Sequence, residues 1–109
     1  MKTLSDYQSI IDTFLEEQQY EPKYWSPHEN LARLIEELGE VGRILNREFG
    51  PKPPKPGEDI SHLQEELGDI LIALICLANS QNIDLSKGIE QGIAKMMHRD
   101  IDRFPRKGG

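Results

Sequence analysis

Glu36-Glu37-Leu38-Gly39-Glu40 and, 29 positions later, Glu65-Glu66-Leu67-Gly68-Asp69 are two versions of one pattern. Carboxylates three and four residues apart lie on one side of a helix, close enough to share a ligand. The same shift carries Leu31 onto Ile60, Leu34 onto Leu63, Leu38 onto Leu67, Val41 onto Ile70 and Leu45 onto Leu74. Two helices therefore carry one apolar stripe and one acidic flank each. At the helical period Glu37 and Glu66 fall at the edge of their stripes, Glu40 and Asp69 one step further out, and Glu36 and Glu65 further away still. Packed face to face, the helices gather Glu37, Glu40, Glu66 and Asp69 at one place.

Most charge runs are solvated helix faces. Three features set these apart. The acids recur in matching phase. Each run accepts a mid-helix glycine, at a cost of about 1 kcal/mol relative to alanine. The segment 70–78 beside the second run is apolar nearly all round, so its acids flank a buried stretch. Clustered carboxylates repel unless a positive charge lies between them. A hard divalent cation with oxygen ligands answers that need, and Mg2+ commonly recruits phosphates as its remaining ligands.

Outward from these runs the chain reads as four helices. Leu4, Tyr7, Ile10, Ile11, Phe14 and Leu15 predict a first helix near 4–20, with Thr3–Asp6 or Ser5–Gln8 capping its start. Tyr20 to Trp25 reads as a loop. Ser26-Pro27-His28-Glu29 is a capping box with proline at the first helical position, so helix two runs from there to about Glu48 and stops at Gly50. Four prolines between Gly50 and Gly57 make a stiff connector. Helix three starts between Glu58 and Ser61, where Ser61 and Gln64 can form a second capping box, and ends near Ser80. Asp84 caps helix four, which carries Leu85, Ile89, Ile93 and Met96 in one stripe and ends near residues 101–102 ahead of Pro105. No stretch reads as a strand. The expectation is a single all-α domain over 1–109, a four-helix bundle or a close relative, with a flexible tail at 104–109.

Thirteen basic against nineteen acidic residues give a net charge of −6, which argues against a protein that coats nucleic acid. The one cysteine, Cys76, lies in an apolar run and reads as a buried small hydrophobe with no disulfide partner. No signal-peptide pattern follows Met1-Lys2, and segment 70–78 is too short to span a bilayer. A soluble cytoplasmic protein is expected. In so acidic a chain an anionic substrate needs metal and locally placed cations. Lys95, Arg99 and Arg103 recur every fourth residue and form one basic stripe if helix four persists. They suit either phosphate contact or the negative end of a helix. Tyr24 and Trp25 could stack on a base or staple the start of helix two.

Taken in order, Glu36-Glu37-x-x-Glu40, then Glu66-x-x-Asp69, then the basic helix resembles the MazG-like nucleotide pyrophosphohydrolases, from Tyr24 to Arg103. The stretches Ser26-Pro27, Ala32-Arg33-Leu34, Cys76-Leu77-Ala78-Asn79-Ser80 and Arg99-Asp100-x-Asp102-Arg103 look like the short single-domain YpjD-type branch. The resemblance implies an all-α oligomer, a homodimer or homotetramer. It also implies Mg2+ (Mn2+ as substitute) and cleavage of a nucleoside triphosphate to monophosphate and pyrophosphate. It assigns Glu37, Glu40, Glu66 and Asp69 as metal ligands, and matches Glu36 to the motif's first acid, an outer ligand or a base toward the attacking water. Lys95 and Arg99 match the phosphate-binding positions; Arg103, next along the same stripe, is a candidate for phosphate contact beside them. Trp25 is a candidate base contact.

Two other classes compete. A di-iron bundle expects a Glu-x-x-His on each of two helices, whereas this chain offers only Asp59-x-x-His62. A non-catalytic helical module, binding nucleotide or dimerising, would use the acids as solubilising surface.

Overall fold

The computed structural model describes residues 1–51 and 62–108. Among them the secondary structure is helical throughout: α1 Leu4–Glu17, α2 Pro27–Phe49, α3 Leu63–Ser80 and α4 Leu85–His98. The chain has the all-α, four-helix architecture its periodicity calls for. The proline connector beyond Pro51, the expected start of helix three between Glu58 and Ser61 with the Ser61 half of its capping box, and Asp59 lie outside the described residues.

Helix boundaries follow local chemistry. Thr3 accepts from the Asp6 backbone N–H while the Asp6 carboxylate accepts from the Thr3 N–H, so this pair, not Ser5–Gln8, starts α1. The helix stops at Glu17, short of residue 20, where Gln19 turns to a left-handed φ of 56°. Ser26 and Glu29 cap α2 reciprocally, with Pro27 at its first position. At its end a Cβ on Gly50 would clash with the Asn46 carbonyl oxygen, so glycine is required there. Asp84 accepts from the N–H groups of Ser86 and Lys87 and starts α4. That helix ends at His98, a turn earlier than the sequence expectation, so Lys95 lies in its last turn, Arg99 is its C-cap and Arg103 lies in the turns beyond.

The α2 and α3 helices pack along their length, α1 lies on α3, and α4 rests mainly on α1. Arg33 meets Cys76, and Glu37 meets Glu66 and Asp69, so α2 and α3 run antiparallel. Val41 and Ile44 from α2 and Ala73, Ile75, Cys76 and Ala78 from α3 make the dry centre. A polar clasp ties the helices at one end. The buried Gln8 donates to the Asn79 side-chain oxygen (2.9 Å) and the Ile83 carbonyl (2.8 Å), and accepts from the Leu85 N–H (3.0 Å). The Asn79 amide donates to the Gln8 carbonyl and the Tyr24 hydroxyl. Such complete satisfaction is what a buried amide needs. Ser5 reaches Ser86 and Asp84, fixing α1 to the start of α4.

The chain is open. Its radius of gyration is 17.7 Å, against about 13 Å for a compact domain of this length. Leu31, Leu38 and Leu45 on α2, Leu67, Leu71 and Ile72 on α3, and Ile89, Ile93, Met96 and Met97 on α4 are all exposed. The repeated stripe is thus only half used within one chain: Val41 is buried while Leu38 and Leu67 are not. Among the described residues no helix is long and apolar enough to cross a membrane.

Candidate active site

Antiparallel pairing of the two repeat helices brings their acids together. Ligand oxygens of Glu37, Glu66 and Asp69 all lie within 4.8 Å of one another, and all three residues are half-buried. Glu66 and Asp69 stand one turn apart on α3, opposite Glu37 on α2. Glu40 is turned aside: its Oε2 accepts from Arg43 Nη2 at 2.7 Å. It remains close enough to act on the cluster. The Glu66 carboxyl is pushed above its usual range, first by desolvation and then by repulsion from Asp69, Glu40, Glu37 and Glu65. Glu36 and Glu65 are exposed, as their helical phase requires.

The donor chemistry fits a hard divalent cation. Three carboxylates supply oxygen only, and their mutual repulsion is relieved by positive charge. Neighbouring oxygens on an octahedral Mg2+ are about 3 Å apart and opposite ones about 4 Å, so the three carboxylates would draw closer to share one ion.

The basic residues lie elsewhere in the chain. Lys95 is exposed at the end of α4, and Arg99 and Arg103 both lie beside Asp100, at 3.5 and 3.6 Å. Since α4 packs on α1, no ion pair among the described residues joins these cations to the acidic cluster.

Toward the start of α2 the α2–α3 seam opens into a cavity of about 370 Å³. Trp25 lines it, half exposed, with the Arg33 guanidinium 6.0 Å from the centre of its indole ring. Asn30 lines it too, only 2% exposed, and donates to the Trp25 carbonyl at 3.0 Å. Tyr24 lines it as well, its hydroxyl donating to Asp12 and accepting from Asn79. Asn30 and Arg33 were not among the site residues that the acidic motifs select. Their signal is the spacing: Asn30, Arg33 and Glu37 follow at three and four, one stripe of α2.

A helical domain with two antiparallel acid-bearing helices and a carboxylate triad in their seam defines the class. The model of the MazG nucleotide pyrophosphohydrolase domain matches residues 25–104, and the chain belongs to that family. It is similar to YpjD of Bacillus subtilis strain 168, an uncharacterised protein, at 42% identity over 97% of this chain and 94% of the relative. The crystal structure of Bacillus subtilis YpjD superposes with a TM-score of 0.76 at 41% identity, over 87% of this chain and 95% of that one. The crystal structure of the Bacillus-conserved MazG protein, a nucleotide pyrophosphohydrolase, gives 0.75 at 38% identity, over 94% and 98%.

Proposed function

We propose that this chain is a cytoplasmic, Mg2+-dependent nucleoside triphosphate pyrophosphohydrolase, with Mn2+ as a substitute, working as a homodimer or homotetramer. The observation that carries this reading is the convergence of Glu37, Glu66 and Asp69 from two repeat helices. Family membership supplies the reaction class.

Glu37, Glu66 and Asp69 would hold the cation, with Glu40 joining them once it leaves Arg43. When bound, the ion would neutralise the acids, polarise the phosphate and lower the pKa of water. The reaction forms a bond between water oxygen and the α-phosphorus. It breaks the bond from that phosphorus to the oxygen bridging to the β-phosphorus, and the water proton passes to a carboxylate. Glu36 is the proposed outer ligand or base. The leaving pyrophosphate needs cations more than it needs covalent help. Lys95 and Arg99, with Arg103 after them, fill that role from the exposed α4 of a neighbouring copy. The uncovered apolar faces of α2, α3 and α4 support such assembly.

A panel of NTPs and dNTPs with Mg2+, read by pyrophosphate release, tests the proposal. Monophosphate and pyrophosphate in equal amounts are expected. Orthophosphate as the first product would refute it, and binding without turnover would leave a nucleotide-binding module.

A further inference from the structure

The seam between α2 and α3 has an acidic end and an aromatic end. Along α2, Asn30, Arg33 and Glu37 form one stripe; along α3, Cys76, Ala73, Asp69 and Glu66 form the facing one. Arg33 touches Cys76, with Nη1 4.0 Å from Sγ. Asn30 stands seven residues before Glu37, about 10 Å along the helix. The cavity therefore opens in line with the triad, where the nucleoside of a phosphate-anchored ligand would lie.

Two polar groups at this end have hydrogen-bonding capacity to spare, although Arg33 already touches Cys76 and lies over the Trp25 ring. The Asn30 amide nitrogen is fixed on the Trp25 carbonyl, but its Oδ1 accepts no hydrogen bond among the described residues. That oxygen is not sealed from solvent, and Asn30, only 2% exposed, lines the cavity. An amide oxygen held in place by its own N–H bond and left open is ready to accept from a ligand donor. Arg33 has no carboxylate partner among the described residues and offers donors only. The other charged groups of the lining are placed otherwise: Lys23 is paired with Asp12 and Glu16, and Glu21 is exposed on the loop.

An acceptor and a donor three residues apart on one helix face read one kind of base edge. Uracil, thymine, guanine and hypoxanthine present a carbonyl acceptor next to a ring N–H donor. Cytosine and adenine present the reverse, an amino donor next to a bare ring nitrogen. We propose that the Trp25–Asn30–Arg33 cavity is a nucleobase pocket selective for bases with a carbonyl/N–H edge over bases with an amino edge. Asn30 accepts from the ring N–H, Arg33 donates to the carbonyl, and the indole of Trp25 supplies the flat face. The proposal rests on the nucleotide reading of the triad for what occupies the acidic end.

Trp25 is the single tryptophan of the chain and lines the cavity, so its fluorescence reports occupancy without any turnover. The test titrates the full-length protein with UMP, CMP, GMP and AMP in the presence of Mg2+ and compares within each ring size. UMP over CMP and GMP over AMP should each bind at least about tenfold tighter, the discrimination a paired polar contact gives. Arg33→Met keeps the apolar stem and should bring both ratios close to one; Asn30→Leu should do the same if it folds. Equal or inverted ratios in the parent protein would overturn the proposal, as would no quenching by any of the four. Should Arg33 bind phosphate instead, Arg33→Met would weaken both members of each pair alike and leave the ratios standing, which also overturns it. Pyrophosphate release from triphosphates is scored separately, so failure of base selectivity is distinguishable from failure of the hydrolase.

Discussion

The Tyr24 hydroxyl donates to the Asp12 carboxylate at 2.5 Å while accepting from Asn79 at 3.1 Å, so one phenol binds the loop after α1 to both α1 and α3. The Asp12 carboxyl is lowered, chiefly by this bond and further by Lys23. The phenol is pushed up to about 12, first by desolvation and then by Asp12.

Tyr24→Phe should destabilise the protein by about 1–3 kcal/mol, the range for a hydrogen bond to a charged group with its partner left behind. The pH dependence has a definite sign. Because the folded value of Tyr24 lies above the ordinary 10.0, its contribution is intact below about pH 10 and is lost as pH rises toward 12. Because Asp12 is lowered from 3.8, its contribution is present above that value and is lost as pH falls through the lower folded one. Denaturant melts across pH should show the phenylalanine variant losing less stability than the parent between pH 10 and 12. Parallel curves would contradict the coupling.

Divalent metal should raise the thermal midpoint, since a ligand that binds only the folded state stabilises it by mass action. Glu37→Gln and Asp69→Asn each remove one oxygen ligand from the triad and should abolish most of the Mg2+-induced rise. Glu17→Gln, on an exposed residue of α1, should leave it intact. An equal metal-induced rise in all four proteins would remove the case for a cation site.

Uncovered Leu38, Leu67, Leu71 and Met96 set the expectation for assembly. Exposed apolar area on this scale normally marks an interface. Light scattering at micromolar concentration should give at least twice the 12.5 kDa of the chain. Leu38→Glu with Leu71→Glu should shift the mass downward. A parent mass near 12.5 kDa would contradict this.

The sequence carried the helices because their signals are local. Ser26–Glu29, Thr3–Asp6 and Asp84 are caps whose partners lie two or three residues away. The acid triad was legible for a different reason: the repeat gives Glu37 and Glu66 the same phase, so any face-to-face packing brings them together. Glu40 shows the limit of that projection. Helical phase places its Cα beside the site, but Arg43 one turn on takes the carboxylate. The last turn of α4 was over-extended because Ile101 continues the apolar spacing, although the helix ends at His98. The Gln8–Asn79–Tyr24–Asp12 clasp was not legible, since its members are up to 71 residues apart and each alone is an ordinary polar residue. Nor could periodicity show which half of each stripe one protomer leaves uncovered.

The central claim is that water is directed at the α-phosphorus by the carboxylate seam. Hydrolysis of a cleavable triphosphate in 18O-labelled water, with Mg2+, locates the bond that forms. The account predicts label in the nucleoside monophosphate and none in the pyrophosphate. It also predicts that Glu40→Gln slows turnover by at least about a hundredfold, as loss of a key charge-stabilising group does. Label found only in pyrophosphate would mean attack at the β-phosphorus and would contradict the account, as would orthophosphate released as the first product.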